Sequence, residues 1–208
     1  MKVLLVNGSP HREGCTYTGL KEVAGVLEAA GIETEIFQVG VQPLSGCIAC
    51  GGCSVTKRCA IKSDRLVNEF LEKSLTADGF IFGSPVHYAG ISGGLNAFLD
   101  RVFFAGSFQF RGKPGAAVVS ARRGGASSTF DAINKYFTIA EMPVVSSQYW
   151  NSIHGNTPEQ VLQDAEGMQT MRVLGRNMTW LLKSIEAGRQ AGIQLPEQEE
   201  RHWTNFIR

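Results

Sequence analysis

Cys47-Ile48-Ala49-Cys50-Gly51-Gly52-Cys53-Ser54-Val55-Thr56-Lys57-Arg58-Cys59 forms a C-x2-C-x2-C-x5-C run. Four thiolates at this spacing can ligate one [4Fe–4S] cluster, and the paired glycines inside the run let the backbone wrap it closely. The same cysteines can instead pack as small apolar residues, bind nothing, or form a redox pair. Zinc fits less well, because its usual spacing is one pair of ligands followed by a distant second pair. The chain has five cysteines, an odd number with four crowded together. That usage suits a metal or redox site in a reducing compartment better than a disulfide scaffold. Cys15 stands outside the run and reads as an ordinary buried or half-buried thiol.

Three glycine-bearing loops could hold a second group. The first, Gly8-Ser9-Pro10-His11-Arg12-Glu13-Gly14-Cys15-Thr16, separates an apolar strand from a helix. Its glycines admit a ligand close to the backbone, Ser9 and Thr16 offer hydroxyls, and the free N–H groups of a helix start attract a phosphate. No Lys follows the second glycine, so this is not the triphosphate-binding loop, and the spacing is not that of the dinucleotide fingerprint G-x-G-x-x-G. A plain βα turn is the alternative. The second loop, Gly83-Ser84-Pro85-Val86-His87-Tyr88-Ala89-Gly90-Ile91-Ser92-Gly93-Gly94-Leu95, joins a rigid proline, a flat aromatic and four glycines. It suits the edge of a planar ring with Tyr88 beside it, although His87 and Tyr88 can equally lie on the surface. In the third, Ser120-Ala121-Arg122-Arg123-Gly124-Gly125-Ala126, adjacent glycines permit close contact with a ring. An arginine there can favour an anionic reduced flavin or meet a nucleotide phosphate, or be a solvated surface charge.

The elements that must position these loops alternate between short apolar runs and segments of helical period, the pattern of repeated βα units. Strands are expected at residues 2–6, 34–39, 79–83, 116–120 and 143–146. The first helix carries Leu20, Val23, Ala24, Leu27 and Ala30 on one face and stops at Gly31. The second begins at Asp64 with Leu66, Val67, Phe70 and Leu71 inward, and others cover 94–103, 128–140 and 158–187. Five strands separated by helices make an α/β, doubly wound sheet, in which ligands lie beyond the C-terminal ends of the strands where strand order reverses. One domain over residues 1–190 is expected, with a cysteine-rich excursion at 44–63. A polar tail follows at 191–208, with Trp203 and Phe206 as anchors onto the domain or a partner.

The formal charge is +1 and Lys and Arg are scattered, so no field favours nucleic acid or an anionic membrane. No apolar run approaches the ~18 residues that cross a bilayer. The apolar start ends at Asn7-Gly8-Ser9-Pro10 with no cleavage site, which reads as a first strand in a cytoplasmic protein.

Taken together, G-S-P-x-R-x-G-x-T at 8–16, G-S-P-V-x-Y at 83–88, the helix Leu95-Asn96-Ala97-Phe98-Leu99-Asp100-Arg101 and the late Gly-Gly resemble the NADPH-dependent FMN reductase and iron–sulfur flavoprotein families. The resemblance covers roughly residues 1–190 and implies a flavodoxin-like five-stranded parallel sheet of order 2-1-3-4-5, with helices on both faces. It further implies non-covalent FMN, NAD(P)H as donor, a small-molecule or protein electron acceptor, and a homodimer or homotetramer. By matching position, Ser9, Arg12, Gly14 and Thr16 would hold the flavin phosphate beside His11 and Cys15. Pro85, Val86, His87, Tyr88 and Gly90 would flank the ring with Ser120, Arg122, Gly124 and Gly125. His11 stands where the family commonly has Arg, and Cys15 where it has Asn or Ser. The cysteine spacing is that of the iron–sulfur flavoproteins, giving Cys47, Cys50, Cys53 and Cys59 as candidate ligands. The cofactor carries the chemistry, so no general base is nominated. Asp100 and Arg101 read as a structural ion pair or an interface contact.

Overall fold

The computed structural model describes residues 1–206. Strand β1 (Lys2–Asn7) is flanked by β2 (Glu33–Gln38) and β3 (Gly79–His87), and β3 by β5 (Gly115–Ala121), all parallel; a two-residue strand β4 (Gly90–Ile91) folds back antiparallel on β3. With the edge strand β6 (Ser152–His154) the order is β2-β1-β3-β5-β6. This is the expected flavodoxin-like order, with β4 as a small addition off the main path.

Helices α1 (Cys15–Ala29), α2 (Gly52–Thr56), α3 (Leu66–Ser74), α4 (Gly93–Gly106), α5 (Ala126–Ile139), α6 (Pro158–Gln163) and α7 (Ala165–Gln190) complete the chain. Alternate residues of the central strands serve two cores. Leu4, Val6, Phe80, Phe82, Ala117 and Val119 face α3, α4 and α5, while Val3, Leu5, Ile81, Ala116 and Val118 face α1 and α7. Burial on both faces explains the unbroken apolar runs in the sequence. The first core is built on phenylalanine: Phe70 meets Phe98 at 5.2 Å and Phe37 at 5.4 Å, both edge to face, and Phe80 meets Phe110 at 5.0 Å. Each such pair adds roughly 0.5–1.5 kcal/mol beyond area burial.

Two expectations are corrected, and the tail meets the domain through residues other than Trp203 and Phe206. The edge strand is not residues 143–146; Val144 makes only one bridge, to Gly115, and the chain returns to β5 as Ser152–His154. Pro143 has no N–H to donate. Residues 146–150 bulge outward, held by Asn177 Nδ2 donating to the Ser146 carbonyl at 2.8 Å, before the Asn151 carbonyl accepts from Val119 N at 2.9 Å. The last helix is two, broken at Asp164, whose carboxylate accepts from Gly167 N at 2.9 Å and so caps α7. The tail meets the domain through Leu195, packed on Gly112, and through Pro196, whose carbonyl accepts from Arg111 at 2.6 Å. Trp203 and Phe206 are exposed, at 84% and 93%, and tail positions 207 and 208 lie outside the described residues. Among the described residues no helix is long and apolar enough to cross a membrane.

Candidate functional site

The three loops meet at the C-terminal edge of the sheet, over the junction of β1 and β3 where strand order reverses. Gly8 N donates to the Gly83 carbonyl at 2.9 Å, and Ser92 Oγ donates to the Gly8 carbonyl at 2.8 Å. Ser84 in turn accepts from Ser92 N at 3.1 Å. The first and second loops are thus stitched together through buried serines.

The shape of the first loop is set by a residue that sequence reasoning missed. Asn7, fully buried, directs Nδ2 at the carbonyls of His11 (3.3 Å) and Arg12 (3.1 Å) and at Gln38 Oε1 (2.8 Å), and its Oδ1 accepts from Ser9 N at 3.2 Å. Gln38 Nε2 donates to the Ser9 carbonyl at 2.8 Å. The available signal was a polar amide placed directly after a buried apolar strand, where an unpaired group is costly. Ser9 is buried and its Oγ accepts from His11 N at 3.1 Å, while His11 and Arg12 are exposed. Gly14 begins α1 without a side-chain cap, leaving the first-turn amides of the helix to meet an anion. Thr16 and Ser120 hydrogen-bond one another at 2.7 Å while buried, so here their hydroxyls pin α1 to β5. Cys15 Sγ points to the Gly155 carbonyl at 3.7 Å, and burial pushes its thiol pKa up.

The second loop is a two-residue hairpin in which Val86 pairs with Ile91 and His87 with Gly90. Tyr88 (φ 49°) and Ala89 (φ 58°) both sit in the left-handed region, where hairpins usually place Asn and Gly. Each such residue costs on the order of 1–2 kcal/mol. Strain of this kind is kept where a tip must be presented. Tyr88 is fully exposed at that tip. The third loop and the first turn of α5 brace it: Ser128 Oγ donates to the Ala89 carbonyl at 2.6 Å, and Gly125, at φ 89°, lies beneath Val86 and Ala89. Gly124 faces open space, and Arg122 is exposed.

The cysteine run leaves the sheet after β2. Cys47, Cys50, Cys53 and Cys59 all border one cavity of about 150 Å³, walled also by Ile48, Ile61, Phe104 and Arg101. Cys47 and Cys50 are exposed, whereas Cys53 and Cys59 are half-buried. Among the described residues no three His, Cys, Asp or Glu side chains converge on a single ion. The four thiols thus do not form a closed ion site as they stand, and their fit to a four-iron cluster rests on all of them bordering the one cavity. Cys59 is gripped by the scaffold, with its N–H donating to Asn68 Oδ1 at 2.9 Å and its carbonyl accepting from Asn68 Nδ2 at 3.0 Å. Arg101 on α4 is 2% exposed and directs Nε at Cys59 Sγ, 3.2 Å away. It does not pair with Asp100, whose carboxylate accepts from Tyr136. Its ion partner is Asp64, at 2.7 Å, so Asp64 does not open a helix as the sequence suggested. Burial works to lower the Arg101 pKa, and the hydrogen bonds with Asp64 and Cys59 outweigh it, so the guanidinium stays charged.

A second cavity, of about 680 Å³, lies between the C-terminal tail and the turns at Arg111 and Glu141, and none of the three loops or the cysteines borders it.

Residues 1–157 match the family described as NADPH-dependent FMN reductase. The chain belongs to that family. Membership in this FMN reductase family makes an FMN flavoprotein of the oxidoreductase class the function at coarse level. Among its relatives, an iron–sulfur flavoprotein of Methanocaldococcus jannaschii is 35% identical over 194 residues, covering 89% of this chain and 100% of that protein. One of Archaeoglobus fulgidus is 29% identical, covering 87% and 97%. An NAD(P)H:quinone oxidoreductase from Methanothermobacter marburgensis superposes with a TM-score of 0.64 at 17% identity, covering 86% of this chain and 96% of the other, a likeness in fold.

Proposed function

We propose that the chain is an FMN-dependent oxidoreductase that also holds a [4Fe–4S] cluster on Cys47, Cys50, Cys53 and Cys59, and relays electrons to a small-molecule or protein acceptor. The observation that carries this reading is the single cavity bordered by all four thiols and backed by a buried guanidinium. The curated relatives named iron–sulfur flavoproteins support it.

When bound, the flavin exchanges electrons in ones or twos and the cluster in ones. The protein's own residues position and tune. The uncapped amides of α1, with Arg12 at the loop, would take the flavin phosphate, and Asn7 and Gln38 hold that loop in shape. Pro85, Val86, His87, Tyr88 and Gly90 would flank the ring on the strained hairpin, and Gly124 would offer the open face on which it lies. Thr16 and Ser120 tie the phosphate end to the ring end. A second copy of the chain, as homodimer or homotetramer, would cover the crevice.

The family description favours direct oxidation of NAD(P)H as a second reading of the donor side. An anaerobic visible spectrum with iron and acid-labile sulfide analysis, followed by NADPH oxidation with a quinone acceptor, tests both. Flavin with about four irons per chain is expected. Flavin without iron after reconstitution removes the cluster, and no NADPH turnover removes the nicotinamide.

A further inference from the structure

The cysteine cavity has one wall that is charged. Arg101 emerges from the middle of α4, and its guanidinium is held on every side. Nη1 and Nη2 meet Asp64 Oδ2 and Oδ1 at 2.7 and 3.3 Å, and Nη1 also donates to the Ser45 carbonyl at 3.2 Å. A planar fork fixed at two nitrogens has no freedom left at the third. Nε is therefore aimed at Cys59 Sγ, 3.2 Å away, by the scaffold rather than by the thiol. Cys59 is also the cysteine whose backbone is clamped by Asn68, whereas Cys47 and Cys50 are exposed on the opposite stretch of the loop.

We propose that Arg101 is the positioning residue for Cys59 and, through its Nε–H, the group that raises the reduction potential of a cluster bound by the four cysteines. This rests on the reading that a cluster is bound there. Reduction adds one negative charge to the cluster and its sulfurs. An N–H donor and a fixed positive charge at a ligating sulfur stabilise the reduced form more than the oxidised one. Because the guanidinium is almost fully buried, water screens little of that effect.

Two variants separate tuning from mere packing. Arg101→Gln combined with Asp64→Asn removes the guanidinium together with its carboxylate partner, so no unpaired carboxylate is stranded and what is lost at Cys59 is the Nε–H donor and the positive end of the pair nearest the sulfur, and Arg101→Lys keeps the charge but loses the fixed Nε donor. In a spectroelectrochemical titration of iron-replete protein, the double variant is expected to lower the reduced-to-oxidised ratio of the cluster at a given poise about tenfold, or 59 mV for a one-electron couple. Arg101→Lys should give a smaller lowering, and the flavin couple should stay put in both. A purely structural role would change cluster content or thermal stability and leave the potential of the assembled cluster where it was, and that result overturns the proposal. If neither variant folds, wild-type protein labelled with 15N-arginine decides: the reduced cluster should show a weak 15N hyperfine coupling, and its absence refutes the Nε–H contact. A wild-type protein that takes up no iron fails the proposed function instead, so the two failures are distinguishable.

Discussion

Gly124 and Gly125 are neighbours with opposite surroundings, and alanine at each separates what the loop does for the fold from what it does for a ligand. At Gly125 the backbone has φ 89°, and a Cβ would stand 2.8 Å from Ala89 Cα and 2.8 Å from Val86 Cγ1. Placing a side chain in the left-handed region costs about 1–2 kcal/mol, and forcing a methyl into a packed contact costs about 1–3 kcal/mol more. Loss of glycine's freedom in the unfolded chain returns roughly 0.4–1 kcal/mol. Gly125→Ala should therefore lose about 1–4.6 kcal/mol, which for a chain of this size is a Tm drop of roughly 2–18 °C. At Gly124 a Cβ meets nothing within 4 Å, so Gly124→Ala should leave stability within about 0.5 kcal/mol of wild type. If the flavin ring occupies that open face, however, the added methyl stands in its place. FMN affinity should then fall at least tenfold, about 1.4 kcal/mol. Urea unfolding of the apoprotein and FMN titration by quenching of flavin fluorescence read the two effects independently. Unchanged FMN affinity in Gly124→Ala would refute this placement of the ring, and an undiminished Tm in Gly125→Ala would refute the packing argument.

Cys50→Ala should abolish iron uptake while leaving FMN binding and the Tm of the iron-free protein unaltered, since Cys50 is exposed and the cavity it borders contains no residue of the three loops; iron analysis beside a flavin titration checks it. Burial first, and then the hydrogen bond to Asp100, push the Tyr136 hydroxyl well above its ordinary pKa. The unfolded chain therefore ionises first, near pH ~10, and wild-type stability should fall above that by up to ~1.4 kcal/mol per pH unit. The stability gap between wild type and Tyr136→Phe should narrow from pH 9 to about 11 in urea melts, and a gap that widens would contradict the assignment. Glu35 bridges Lys73 at 2.8 Å and Lys2 at 2.9 Å, and those contacts, Lys73 foremost, hold its carboxyl below the usual range against the opposing effect of burial. Its contribution is present above pH ~4.3 and is lost as pH falls through the lowered value. Because these side chains are partly exposed, Glu35→Gln should cost under ~1 kcal/mol at pH 7 and almost nothing in 1 M salt, where the charges are screened.

Much of this was legible in the sequence because the information was local. The central strands declared themselves as unbroken apolar runs, Gly31 ended α1 at φ 81°, and the loops after β1, β3 and β5 met where a doubly wound sheet places its ligands. What stayed hidden depended on distant partners. The edge strand was misplaced because it is interrupted. Nine residues, from 144 to 152, run beside only five of β5, from 115 to 119, and propensity marks the valines but not the bulge that follows them. Asp100 and Arg101 looked like a pair because they are adjacent in sequence, yet successive helical residues point about 100° apart and do not face each other. Each finds its partner elsewhere, at Tyr136 and Asp64. Asn7 passed as the first residue of a turn, although it holds three groups of the loop in place and ties them to Gln38 of β2.

The two sites draw their rigidity from different sources. Every segment around the crevice is tied to a strand end or a helix start, so that surface exists before any ligand arrives, and binding there spends little on ordering the chain. The cysteine run is tied mainly at its C-terminal side, its approach being held only where the Ser45 carbonyl accepts from Arg101. Cys59 is fixed through Asn68 and Arg101, and Cys53 reaches the Phe104 carbonyl at 3.6 Å, while residues 45–51 are exposed. Closing the exposed half around a cluster would draw its ordering free energy from metal binding itself, as in small metal-dependent folds. The anchored half would make that cost smaller, because Cys53 and Cys59 are already held against the α3 and α4 scaffold, and only the segment carrying Cys47 and Cys50 would have to come to them.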